Sequence, residues 1–198
     1  MLIEQGILKT DDIIKAFDKV DRSLFMPEKY KKYANIDEPF PIPPFDGKHT
    51  ISAPHTYAIY YELLQLKSGE SFLEIGSGSG YGLVLAKEII GKGKVIGIEN
   101  NKITFDFCKK NLEKAGYKDV IVINDDGKKG CVQYMPYDKI AVTAAAKEIP
   151  IHLLKQLKNG GSMVIPLGSG EIQELVFIEK QNKITKTPVT FVRYVPLD

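Results

Sequence analysis

The chain reads as an α/β protein built on a doubly wound, mostly parallel sheet, with helices on both faces and a small helical extension at the N-terminus. Three observations predict this. Residues 72–80, Phe-Leu-Glu-Ile-Gly-Ser-Gly-Ser-Gly, are a short apolar run that ends in an acid and then in glycines at alternate positions. That is the pattern of a buried strand, a sharp turn and a helix beginning near Tyr81, with free N–H groups at the turn where a ligand can approach the backbone. A second strand, Lys94 to Ile98, ends at Glu99, 19 positions after Gly80. An acid about 20 residues beyond such a turn is where a Rossmann-like unit hydrogen-bonds a ribose. From the turn onward, strand and helix patterns alternate, which implies parallel strands joined by crossovers.

The elements follow in order. Tyr81 to Ile90 is a helix ended by Gly91-Lys92-Gly93, and Lys102 to Ala115 a second one ended by Gly116. Val120 to Ile123 is a third strand, running into Asn124-Asp125-Asp126-Gly127, and Tyr137 to Thr143 a fourth. Ile149 to Lys158 reads as a helix opened by Pro150 and stopped by Asn159-Gly160-Gly161. Ser162 to Pro166 is a fifth strand, and Glu171 to Lys180 and Val189 to Val195 read as closing strands. Upstream, Asp37 to His55 is rich in proline and cannot be a central strand. It leads Thr50-Ile51-Ser52-Ala53-Pro54-His55 into a helix running to Leu66, with Ser52 placed as its cap.

Composition narrows the function classes. The 198 residues suit one domain, with 1–50 as N-terminal helices and a substrate-side loop and 51–198 as the α/β core. No apolar run approaches the roughly 20 residues that span a bilayer, and the N-terminus lacks a basic lead, so no membrane partner is expected. Cys108 and Cys131 stand in no short motif, which points to a reducing, cytoplasmic setting. His49, His55 and His152 show no ligand spacing with them, so no metal is expected. Net charge is +2, and of 27 basic residues only Arg22 and Arg193 are arginine, which weighs against a nucleic-acid partner.

The glycine spacing selects among nucleotide ligands. A dinucleotide fingerprint needs Gly-x-Gly-x-x-Gly, but the third position is Tyr81 counted from Gly76 and Leu83 counted from Gly78. The remaining pattern, acid-x-Gly-x-Gly-x-Gly, resembles motif I of class I S-adenosylmethionine-dependent methyltransferases. Thr50-Ile51-Ser52-Ala53-Pro54-His55 is more specific, and resembles the signature of the protein-L-isoaspartate (D-aspartate) O-methyltransferase family. So do Asp21-Arg22-Ser23-Leu24-Phe25-Met26-Pro27, Asp126-Gly127, Pro136-Tyr137-Asp138, Ala144-Ala145-Ala146 with Ile149-Pro150, Gln156 to Gly161, and Tyr194-Val195-Pro196-Leu197, in the family's order. The chain departs from the family at Lys48-His49, where Gly-Gln is usual, and at Asp125, where Gly is usual.

The resemblance implies roles. Gly76, Ser77, Gly78 and Gly80 would cradle S-adenosylmethionine, Glu99 and Asn100 would take the ribose end, and Asp126 with Gly127 would lie beside the adenine. Ser52, Ile51 and the Val195 backbone would hold the acceptor, with Ser52 the residue at the chemistry. Glu74 is read as a cofactor-side or network acid. The implied partners are isoaspartyl-containing proteins, met by a monomer. The implied acceptor is the free α-carboxylate of an isoaspartyl residue, which is ionised at neutral pH and needs no general base. Ser52 would then position rather than attack. Two other readings stand beside this one: a class I methyltransferase with a small-molecule or RNA acceptor, and a module that binds damaged protein without methylating it.

Overall fold

The computed structural model of the chain describes residues 2–197. Helix α1 (Asp11–Lys19) and 3-10 segments at Arg22–Phe25 and Glu28–Tyr33 form the N-terminal extension. A two-residue strand β1 (Phe40–Pro41) pairs antiparallel with β2 (Thr50–Ile51), and α2 (Pro54–Leu64) follows. The main sheet has β3 (Ser71–Ile75), β4 (Lys94–Glu99), β5 (Ile121–Asn124), β6 (Tyr137–Val142), β7 (Leu157–Leu167), β8 (Gln173–Lys180) and β9 (Ile184–Val192), in the order β5-β4-β3-β6-β7-β8-β9. Pairings from β5 to β7 are parallel, and β8 and β9 are antiparallel. The crossovers are α3 (Tyr81–Ile90), α4 (Lys102–Lys114) and α5 (Ile151–Gln156).

The strand period divides the core in two. Phe72, Val95, Ala141 and Val164 face one cluster, shared with α1, α2, α3 and α4. Leu73, Ile75, Ile96, Ile98, Ile140, Val142, Met163 and Ile165 face the other, shared with Leu153 of α5. One face is therefore covered by four helices and the other by a single short helix and turns. Apolar residues on both sides of each strand are what a sheet with two covered faces requires. The chain leaves β3 in opposite directions, to β4 on one side and β6 on the other. That reversal opens a crevice at the carboxyl ends of the strands, where ligands of such sheets bind.

Several boundaries differ from the sequence expectations. The helix expected over 149–158 is only Ile151–Gln156, and Leu157 to Gly161 already belongs to β7. Asn159-Gly160-Gly161 looks like a helix stop, yet Leu157 is 1% exposed and pairs with Tyr137, so burial draws the segment into the sheet. A register shift between Tyr137 and Lys139 accommodates it, with Gly160 at φ +85°. Helix α2 stops at Leu64, because Gln65 turns left-handed at φ +50°. Ser52 is not its cap: Ala53 holds that position, no side chain bonds there, and Pro54 opens the helix. The last strand is Ile184–Val192 rather than Val189–Val195, and β8 begins at Gln173.

Candidate active site

The glycine corner is held open by backbone geometry. Gly76, Gly78 and Gly80 all lie in the left-handed region, at φ +88°, +53° and +87°. A Cβ on Gly76 would stand 2.6 Å from the Thr143 hydroxyl oxygen, which itself lies 2.9 and 2.8 Å from the carbonyls of Ile75 and Gly76. A Cβ on Gly80 would come within 3.0 Å of the Cys108 sulfur on α4. Two of these glycines are therefore demanded by packing as well as by dihedral angle. Glu99, at the end of β4, ties the loop down: its Oε2 accepts from the Gly78 N–H (3.0 Å) and its Oε1 from the Asn101 N–H (3.1 Å). Asn101 in turn caps α4 through the N–H groups of Ile103 and Thr104.

Opposite sequence regions meet this corner. Ile51, fully buried, anchors β2 in the core, and Ser52 follows it half-buried between β2 and α2. The C-terminal segment crosses the strand ends, where the Ala145 N–H donates to the Val195 carbonyl and the Leu197 N–H donates to the Ala145 carbonyl, both at 2.8 Å. On the loop before β2, the His49 ring lies 3.0 Å from Asp46 and, with the Lys48 N–H, holds that carboxyl down at about 2. His55 sits 3.0 Å from Asp37.

Beneath these groups lies Glu74, 2% exposed, with one carboxyl oxygen lacking any partner. Burial, and secondarily the Glu99 charge, push its carboxyl up to about 8. A Cβ on Gly82 of α3 would fall 2.5 Å from the Glu74 Oε1, so the missing side chain there makes room for the acid. Tyrosines close the rest of the floor. The Tyr61 hydroxyl donates to the Gly82 carbonyl (2.6 Å), the Tyr60 hydroxyl donates to the Val142 carbonyl (2.9 Å), and the Tyr194 hydroxyl is buried without a partner.

One cleft of about 2120 Å³ is bordered by Gly76, Ser77, Gly78, Glu99, Asn100 and Gly127 and also by Ser52, Val195 and Glu74. It exceeds the several hundred Å³ of an ordinary small-molecule pocket. Three expected residues stand away from it. Ile51 points into the core, Gly80 is packed against α4, and the Asp126 carboxylate caps its own turn by accepting from the Lys128 N–H (2.9 Å). Tyr57, Tyr60, Thr143 and Phe191 border the cleft without having been singled out for it. Tyr57 and Tyr60 share a helix face, a spacing that also describes core packing, so the sequence carried no separate signal. Among the described residues, no group of three His, Cys, Asp or Glu could hold a metal ion.

The switch-point crevice, the glycine corner and the acid at the end of β4 define a class I methyltransferase of the S-adenosylmethionine-dependent type. A family model described as protein-L-isoaspartate(D-aspartate) O-methyltransferase matches residues 1–198. The chain belongs to that family. It is 48% identical over 182 residues to the protein-L-isoaspartate O-methyltransferase of Pyrococcus horikoshii, covering 91% of this chain and 81% of that protein. To protein-L-isoaspartate O-methyltransferase 1 of Archaeoglobus fulgidus it is 46% identical over 189 residues, covering 95% and 86%. A solved protein-L-isoaspartate O-methyltransferase superposes with TM-score 0.89 at 28% identity, covering 98% of this chain, which spans 63% of that longer chain. A beta-aspartate methyltransferase from Plasmodium falciparum, solved with S-adenosyl-L-homocysteine, superposes with TM-score 0.86 at 28% identity and covers 100% and 94%.

Proposed function

We propose that this chain is a protein repair enzyme that moves a methyl group from S-adenosylmethionine to the free α-carboxylate of L-isoaspartyl residues in damaged proteins, with D-aspartyl residues as a second acceptor. The observation that carries the reading is that a single cleft is bordered by both Glu99 with the glycine corner and Ser52 with Val195. The residues fit the cofactor. Left-handed glycines leave backbone where side chains would stand, and the Glu74 oxygen without a partner leaves a polar group at the cleft for a ligand to meet. Gly76, Ser77 and Gly78 would line its methionine and ribose portion, Glu99 and Asn100 would hold the ribose hydroxyls, and Gly127 would flank the adenine. Asp126 would reach the adenine only by leaving the turn that it now caps. Bound S-adenosylmethionine supplies a methyl group already activated by its sulfonium.

The chain's own work is then placement. An acceptor carboxylate is ionised at neutral pH, so no base has to act. Ser52 would donate a hydrogen bond to it and turn one oxygen toward the cofactor side, with the Val195 backbone fixing the same group. Such proximity and alignment is the main source of rate for a reactive pair. The ester would afterwards close to a succinimide by attack of the next backbone nitrogen, releasing methanol, with no further help from the protein. We read the enzyme as a monomer of the cytoplasm, acting on isoaspartyl proteins rather than nucleic acid or membranes; no helix among the described residues is long and apolar enough to cross a membrane.

The test is methyl transfer from labelled S-adenosylmethionine to a short peptide with one isoaspartyl residue, beside the same peptide with normal aspartate. Label on the first alone supports the reading. Cofactor binding with no label on either would assign the cleft to a different acceptor.

A further inference from the structure

We infer that Arg22, in the N-terminal extension, is a positioning residue of the acceptor side: it fixes Ser52 by gripping its carbonyl. The inference rests on the repair-methyltransferase reading and adds a residue that the cleft itself does not contain. Arg22 is 4% exposed, and its four partners are backbone carbonyls. One terminal nitrogen donates to Ala34 (3.1 Å) and Ile36 (3.0 Å). The other donates to Glu38 (2.8 Å) and Ser52 (2.9 Å). The Phe40 ring lies 5.7 Å from the guanidinium carbon.

The placement explains why this bond matters. Ser52 falls between the end of β2 at Ile51 and the start of α2 at Pro54, and it is not the helix cap. Neither the ladder nor the helix therefore holds its carbonyl, and the guanidinium does. The same fork holds the chain at 34–38, so Arg22 clamps both ends of the proline-rich strap that carries Lys48 and His49. The planar geometry of the group matters as much as its charge, because a lysine ammonium cannot span two pairs of carbonyls in one plane.

The test is Arg22→Lys, assayed with the isoaspartyl peptide, while binding of S-adenosyl-L-homocysteine by calorimetry counts the folded sites. The expected result is a KM for the peptide raised about tenfold, with kcat per folded site within about threefold and cofactor affinity within about twofold. A merely structural role would lower the number of folded sites and leave KM alone, and an unchanged KM overturns the proposal. Should Arg22→Lys not fold, Phe40→Leu removes the ring beside the guanidinium and is expected to raise KM about threefold or more at unchanged cofactor affinity; an unchanged KM again overturns it. Wild-type turnover on the isoaspartyl peptide is the control, and its failure would count against the repair reading rather than against Arg22.

Discussion

At the scale of single residues, Ser52, Glu99 and Glu74 divide the work by environment. Ser52 is half-buried, makes no helix-cap bond and borders the cleft, and on the proposed reading its hydroxyl would meet the acceptor. Ser52→Ala should cost about 1.5–3 kcal/mol of acceptor positioning, the worth of a hydrogen bond to a charged group. The expected outcome is kcat/KM on an isoaspartyl peptide about ten- to a hundredfold lower with cofactor affinity unchanged; wild-type kcat/KM would remove Ser52 from the site. Glu99 is occupied already, holding the Gly78 and Asn101 N–H groups, and each carboxylate oxygen keeps a second lone pair for a ligand. Glu99→Ala should therefore weaken S-adenosyl-L-homocysteine binding by about 1–3 kcal/mol in calorimetry. Glu74 differs in being held neutral below its raised value of about 8. Motif I announced an acid at this position, whereas its protonation depends on Glu99 and on burial by residues far away in the chain.

At the scale of elements, α5 shows how tertiary contacts override local signals. Asn159-Gly160-Gly161 mimics a helix stop after Lys158, but the pairing of Leu157 with Tyr137 ends the helix at Gln156, two residues earlier. The short helix is then secured from outside. Lys180 on β8 donates to the carbonyls of Leu154 (2.6 Å) and Leu157 (2.5 Å), which satisfies acceptors that a helix C-terminus leaves open. Gln156, 4% exposed, accepts from the Cys131 N–H (2.7 Å) and donates to the Lys129 carbonyl (2.6 Å). It thereby ties α5 to the segment that follows Asp126 and Gly127. Gln156→Leu strands both backbone groups and should cost roughly 2–4 kcal/mol in denaturant unfolding. A loss below about 0.5 kcal/mol, the ordinary range for a surface change, would show that water replaces the side chain without penalty.

At the scale of the whole molecule, ligand and proton binding both couple to folding. Unfolded, Glu74 titrates near 4.5, and folded it titrates near 8. Between those values the folded chain keeps a proton that the unfolded chain has lost, so stability falls as pH rises through that window and levels off above it. Thermal melts of the ligand-free protein should show a Tm declining from pH 5 to pH 8, and Glu74→Gln should flatten the decline. An identical slope in the variant would place the pH dependence elsewhere. S-adenosyl-L-homocysteine at a hundred times its Kd should add about 2.7 kcal/mol, raising Tm by roughly 5–10 °C. Absence of any shift would mean that the cleft does not take this cofactor.

What the sequence by itself determined was local and periodic. The strand that ends at Ile75, the alternate glycines, the start of α3 at Tyr81 and the acid at Glu99 could be read in order, because a turn that needs positive φ and a buried strand each leave a mark within a few residues. The motif around Ser52 picked out a residue that borders the same cleft, although the helix cap expected there fell to Ala53. Only the tertiary structure decided what those residues face: the Glu74 oxygen without a partner, the tyrosine floor from α2 and Tyr194, and the Arg22 fork on Ser52. These join segments 25 (Glu74 to Glu99), 30 (Arg22 to Ser52) and more than 100 (Tyr60 to Tyr194) positions apart, and a contact at such distance depends on how the layers pack, for which neighbouring residues carry no signal.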